Sequence, residues 1–253
     1  MLVDTHCHLF REYYDNIEEV LNNAYQNGVE RIIVNGTNDK DNLEVLDLVS
    51  KYDGVYGALG IQPEEINEHW EKLLLFLESH LMDDKIVAIG EIGLDYHYEC
   101  DRELQKRVFR KQLELAEKYD MPVIIHSRDC IQDTYDILKE YHVRGIMHCY
   151  SGSVEMAHLF NELGFYLGIG GICTFKNSVK INEVIKNIDL SYLVLETDSP
   201  YLSPEPYRGK RNEPANIPLI LRKICEIKGV DYSKGKLVIE TNIIRLFDKK
   251  LNL

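Results

Sequence analysis

Residues 3–10 read VDTHCHLF, a short apolar run that carries two imidazoles two positions apart, His6 and His8. Successive side chains of a β-strand point to opposite faces, so Asp4, His6 and His8 share one face and Thr5 and Cys7 the other. The two imidazoles then lie about 7 Å apart along the strand and can converge on one small cation. The plainer alternative is a packed core histidine beside an exposed one. Imidazole is the commonest metal-binding side chain, so the metal reading depends on whether the rest of the chain supplies further ligands.

The stretch opens a recurring pattern. Short apolar, β-branched runs occupy residues 2–8, 31–36, 55–61, 86–96, 122–127, 145–152, 166–175 and 192–200. Segments with helical signals separate them. Residues 102–119 place Phe109, Leu113 and Ala116 at spacings of four and three, with charges between. Residues 153–163 open on Ser153, a capping residue, and Gly164 closes them. Near-continuous apolar strands alternating with amphipathic helices predict a parallel sheet covered by helices. Eight such units predict a (β/α)8 TIM barrel, of the α/β class. With 253 residues and no linker or low-complexity tract, the chain is expected to form a single domain over 1–253, with residues 201–253 adding helix over the barrel.

Hydrophobic content of 45% and charged content of 28% suit a globular protein. No apolar run approaches the ~20 residues of a membrane helix. The first strand starts at residue 2, leaving no room for a leader. Cys7, Cys100, Cys130, Cys149, Cys173 and Cys225 are thinly spread without a C-x-x-C, which predicts reduced, mostly buried thiols and a cytoplasmic location. The net charge of −13 on its own argues against nucleic acid as a partner.

In such a barrel chemistry sits at the carboxyl ends of the strands. The first run ends in His6 and His8. The fourth carries Glu91 within GEIGLD, the fifth ends at His126, the sixth carries His148, and the eighth carries Asp198 before Pro200. Each alone is a weak signal. Together, four histidines and two carboxylates at one rim form a mixed nitrogen and oxygen set sized for two divalent ions, among them Mg, Mn or Zn. Glu91, on the middle strand, is the candidate bridge between them. Glu196 and Asp4 lie one step deeper and are expected either to orient ligands or to hold a floor network. His69, His80, His142 and His158 fall in segments read as helical and are assigned to surface or packing. His97 follows the fourth strand and is unassigned.

The motifs DTHCHL, GEIGLDY, PVIIHSRD, MHCYSGS, LVLETDSPYLSP, RNEPANIP and NIIRLF occur in this order along essentially the whole chain. In them the sequence resembles the TatD family of metal-dependent hydrolases. The resemblance implies an amidohydrolase-like TIM barrel in which His6, His8, Glu91, His126, His148 and Asp198 are metal ligands. It implies a metal-dependent DNase, often a 3′-to-5′ exonuclease; some relatives remove D-amino acids from mischarged tRNA. One position departs from the family pattern. Histidine usually precedes the proline after strand three, and this chain has Gln62, which can hydrogen-bond a phosphate or leaving group but carries no titratable proton near neutral pH.

Two cations would lower the pKa of a bound water and offset charge developing on a phosphoryl or carbonyl oxygen. Asp198 is expected to serve as ligand and as proton acceptor. The segment PYRGKRNEP adds Arg208, Lys210 and Arg211, expected near the rim. Arg208 and Arg211 suit phosphate binding by their planar forks; the alternative is a solvated loop with Arg211 paired to Glu213. Tyr96, Tyr98, Tyr150, Tyr201 and Tyr207 follow strand ends and can stack on unpaired bases or serve as ordinary rim residues. The expected partner is single-stranded DNA or 3′ ends, or tRNA, with a short footprint. Three rival readings are less consistent with these residues. A small-molecule amidohydrolase with a bridging carbamylated lysine lacks that lysine here. A phosphoesterase of the polymerase-and-histidinol-phosphatase kind fits GEIGLD and ETDSPYL poorly. A non-catalytic binding module would leave a complete metal site without use.

Overall fold

The computed structural model describes residues 1–99 and 101–251, so Cys100 lies outside the described residues. Eight strands run parallel in sequence order, each hydrogen-bonded to the next. They are β1 (Leu2–Cys7), β2 (Val29–Asn35), β3 (Val55–Leu59), β4 (Ile86–Asp95), β5 (Val123–Arg128), β6 (Gly145–Met147), β7 (Phe165–Ile169) and β8 (Leu193–Leu195). The helices that alternate with them are α1 (Ile17–Gln26), α2 (Asp39–Lys51), α3 (Trp70–His80), α4 (Arg102–Tyr119), α5 (Ile131–Leu138), α6 (Val154–Glu162) and α7 (Val179–Asn187). Two more, α8 (Ile217–Lys228) and α9 (Tyr232–Phe247), follow β8. The ring closes past β8: Asp198 N–H donates to His6 O at 3.0 Å, His8 N–H donates to Ser199 O at 2.7 Å, and Cys7 bridges Ser199 in parallel. The result is a (β/α)8 TIM barrel.

Local chemistry sets the helix bounds. Asp101 caps α4 by accepting from Leu104 N–H, and Asp120 ends it in the left-handed region at φ 50°. Val108, Phe109, Leu113 and Ala116 form its buried face. Ser153 caps α6 through Met156 N–H, and Gly164 follows at φ 87°.

The apolar interior has two parts. Most of it lies between strands and helices. The rest fills the barrel's floor, where Val3, Ile33, Tyr56, Ala88, Ile124, Ile146 and Val194 meet Ile243, Leu246 and Phe247 of α9. Helix α9 therefore plugs the amino-terminal end, and the carboxyl end is left for chemistry.

Strands β6, β7 and β8 are much shorter than the sequence pattern suggests, and β3 stops at Leu59 rather than Ile61. Strand β7 stops at Ile169, and Gly171–Thr174 form a 3₁₀ turn. A Cβ at Gly171 would collide with Leu202 O, so this segment turns beneath the post-β8 loop instead of extending the ladder. Strands β6 and β8 stop at Met147 and Leu195, because Cys149 (φ 44°) and Asp198 (φ 54°) bend the backbone just past them. His142 lies in the loop before β6 rather than in a helix, and His69 precedes α3 as its cap residue. Among the described residues no helix is long and apolar enough to cross a membrane.

Candidate metal centre

Strand β1 and the segment after β8 bring three side chains to one point. His6 Nε2 lies 3.1 Å from His8 Nε2, 3.4 Å from Glu91 Oε2 and 3.6 Å from Asp198 Oδ1. His8 Nε2 lies 3.4 Å from the same glutamate oxygen and 3.7 Å from the same aspartate oxygen. Ligand bonds of about 2.0–2.2 Å to a divalent ion, at angles between octahedral and tetrahedral, put neighbouring donor atoms roughly 2.9–3.5 Å apart. The observed spacing is close to that range. Glu91 turns its other oxygen, Oε1, the opposite way: 2.8 Å to His126 Nδ1 and 3.8 Å to His148 Nε2. The ligand atoms form two groups that could each hold an ion, His6–His8–Asp198 and His6–Glu91–His148. His126 meets the cluster through Glu91.

The back side of each imidazole shows how the rings are set. A backbone carbonyl only accepts, so His8 Nδ1–H donates to Asn35 O at 3.1 Å and leaves Nε2 with its lone pair toward the cluster. His148 Nδ1 donates to Glu196 Oε1 at 3.2 Å, which directs its Nε2 the same way. His126 Nε2 faces Asp95 Oδ2 at 2.7 Å, leaving Nδ1 for Glu91. Anchoring of this kind accompanies metal-binding histidines. His6 Nδ1 is buried with no hydrogen-bond partner, and its ring stacks on His148 at 3.7 Å between centroids. The donor set fits divalent metal.

Charge is tightly balanced. Burial alone would raise the Glu91 carboxyl, but His126, His148, His6 and His8 around it hold it well below the carboxylate range. Burial, helped by His148 and His8, pushes His6 well below its ordinary 6.5. Burial would also lower His126 and His148; Asp95 and Glu91 raise the first to about 9, and Glu196 and Glu91 raise the second to about 10. Asp198 is pushed up to about 6 by burial, moderated by His148 and His8.

Two deeper carboxylates have distinct jobs. Glu196 Oε1 takes both His148 Nδ1–H and Cys149 N–H, while its Oε2 is unpartnered beside Gly168, where a Cβ would strike it. Asp4 does not touch an imidazole. It accepts from Thr197 N–H at 2.9 Å and Thr197 Oγ1–H at 2.5 Å, fastening β1 to the segment after β8.

The family model described as TatD related DNase matches residues 3–248. The chain belongs to the TatD family. Among curated relatives, the uncharacterized metal-dependent hydrolase YabD of Bacillus subtilis is 41% identical over 252 residues, covering 98% of this chain and 99% of YabD. Escherichia coli YcfH, also an uncharacterized metal-dependent hydrolase, is 33% identical over 254 residues, covering 97% of this chain and 95% of YcfH. The crystal structure of the TatD homologue YjjV from E. coli superposes with a TM-score of 0.90 at 34% identity, covering 98% of each chain. The phosphotriesterase homology protein of E. coli, at 16% identity, covers 98% of each chain and shares the fold with a TM-score of 0.70.

In this TatD hydrolase the metal centre floors an open cavity of about 600 Å³. Its wall includes His8, Glu91, His126, His148 and Asp198. Gln62 is in the wall too, with its side-chain oxygen taken by Glu64 N–H at 2.7 Å and its amide 3.3 Å from the Glu64 carboxylate. Of the five tyrosines after strand ends, Tyr98 and Tyr201 line the cavity. Tyr96 hydrogen-bonds Asp133, Tyr150 is buried on Ser153, and Tyr207 lies on another face. Arg208 and Arg211 do not line it. Arg208 stacks over Phe175 at 4.3 Å and Arg211 over Tyr14 at 4.7 Å, with Arg211 also bonded to Tyr13 O and not to Glu213. The cations in the wall are Lys40, paired with Glu12 at 2.5 Å, and Arg128, which has no ion pair among the described residues and lies over Tyr98 at 5.6 Å. Sequence reasoning missed Asp95 and Arg128. Asp95 had a signal, since it stands four residues after Glu91 on the same strand.

Proposed function

We propose that this TatD hydrolase is a deoxyribonuclease that shortens single-stranded DNA from its 3′ end, using two divalent ions (Mg, Mn or Zn). The observation that carries the reading is the Glu91 carboxylate, which offers one oxygen to each side of the cluster. His6, His8, Glu91 and Asp198 would hold one ion, and Glu91, His126 and His148 the other. The ions would supply Lewis acidity, lowering the pKa of water and offsetting charge on a phosphoryl oxygen. Asp198 Oδ1, 3.6 Å from His6 Nε2 and 3.7 Å from His8 Nε2, stands where it can accept the water's proton. Arg128 offers a phosphate a guanidinium with no ion pair among the described residues, and Tyr98 and Tyr201 offer faces to unpaired bases. Glu12, Asp41, Glu64 and Glu65 stand on the same wall and disfavour long duplexes.

The test has two arms on metal-stripped, metal-reloaded protein: a 5′-labelled single-stranded oligonucleotide and a D-aminoacyl-tRNA. A ladder shortening from the 3′ end, absent in EDTA and in Asp198→Ala, is expected. Release of free amino acid with the oligonucleotide intact would replace this reading with ester hydrolysis on tRNA.

A further inference from the structure

Resting on the DNA reading above, we propose that Lys210 and Arg222, with Arg211 between them and the metal cavity, form a separate exosite for the sugar-phosphate backbone of single-stranded DNA. The two residues share the wall of a second cavity, of about 440 Å³, with Arg211 and Tyr207. None of these three cations has a carboxylate partner among the described residues. The one acid in that wall, Glu213, already accepts from Asn23 Nδ2 at 2.7 Å. In a chain with 42 acidic and 29 basic residues, three unpaired cations around one hollow are a local reversal of charge.

The hollow adjoins the metal cavity through one residue contact. Arg211 donates to Tyr13 O, and Tyr13 takes a hydrogen bond from Tyr201 at 3.1 Å. Both tyrosines line the metal cavity, so one residue separates the two sites. On its other flank Arg211 borders a hollow that contains Asp15, Glu18 and Glu19, which repels phosphate. A strand leaving the metal centre past Tyr201 is therefore steered over Lys210 and Arg222. The hollow beside β5 is a poorer route, because its Arg102 and Lys180 are offset by Asp129 and Asp133.

The test compares wild type with Lys210→Gln/Arg222→Gln; both side chains are exposed, so the fold is expected to survive. Binding of a 5′-fluorescein single-stranded 20-mer is followed by anisotropy between 0.05 and 0.3 M salt, beside turnover of the same oligonucleotide and of a p-nitrophenyl ester of thymidine 5′-monophosphate. Losing two phosphate contacts should reduce the salt slope by about 1.4 and weaken binding about 25-fold at 0.1 M salt, about 10-fold at 0.2 M. Turnover of the small ester should be unchanged, which also certifies the fold. Equal affinity and equal slope in both proteins would overturn the exosite while leaving the nuclease reading standing. Oligonucleotide binding that depends on the two cations, without hydrolysis of any DNA, would support the exosite and overturn the nuclease reading instead.

Discussion

Loading the metal-free protein with divalent ion at pH 7 should release at least two protons. An imidazole must be neutral to bind metal; His126 and His148 are held protonated by their neighbours, and against the effect of burial Glu91 and Asp198 also raise His8. Burial works against that charge, yet Asp95 and Glu91 raise His126 to about 9, and Glu196 and Glu91 raise His148 to about 10. Both values lie above pH 7, so each imidazole must give up its proton against its carboxylate neighbours before an ion binds. The sign for stability follows from the same shifts. Both folded-state values exceed the ordinary 6.5. The ion pairs thus stabilise the metal-free fold fully below about pH 6.5, and that contribution is lost as pH rises through about 9 and 10. Metal affinity should climb over the interval in which metal-free stability falls. Calorimetric titration of the metal-free protein in buffers of different ionisation enthalpy counts the protons directly. Glu196→Gln removes the carboxylate that does most to raise His148, so its count should drop by about one. Heats that do not vary with the buffer at pH 7 would refute the reasoning, because the histidines would then already be neutral.

Three further perturbations test other parts of the centre. Glu91→Ala and Asp198→Ala should each reduce turnover by at least ~10³-fold with an unchanged circular-dichroism spectrum; near-normal activity in Glu91→Ala would remove the bridging assignment. Arg128→Ala should raise KM for single-stranded DNA about tenfold with kcat nearly constant. A fall in kcat at constant KM would instead place Arg128 at the reacting atoms. Gln112 holds the end of β3, accepting from Ile61 N–H at 2.7 Å and donating to Ile61 O at 3.1 Å, both buried. Gln112→Ala should cost ~2–5 kcal/mol in urea unfolding, and a cost below ~1 kcal/mol would mean that water replaces the amide.

The strands and the ligands were legible for one reason. A parallel barrel buries its strands on both faces and gathers functional side chains at their carboxyl ends, so apolar runs and terminal His, Glu and Asp mark the same places. His6, His8, Glu91, His148 and Asp198 come together in the two groups, and His126 adjoins them through Glu91. Strand ends were less legible. His148 and Asp198 lie past the last paired residues of β6 and β8, where Cys149 and Asp198 take left-handed φ values that no alternation pattern reveals. The two roles left open for Asp4 could not be told apart, because beside His6 N–H its donors are Thr197 N–H and Oγ1–H, 193 residues away, a pairing fixed only when the ring closes.

Cations were the hardest to place, and the difficulty has a physical cause. Arg128 is the last residue of β5, in register with Asp95, so the ladder itself delivers it to the cavity. Arg208, Lys210 and Arg211 follow Leu202, at φ 54°, in a long segment with no regular structure, where aromatic neighbours decide where each charge lands. Phe175, Tyr207 and Tyr14 each hold one of the three beneath or beside a ring. That arrangement moves the basic segment out of the chemistry and onto the adjoining surface. The floor of candidate metal ligands and the cationic flank then answer different demands. The floor needs fixed geometry and is built on strands, whereas the flank needs only charge along a strand's path and can be carried by a loop.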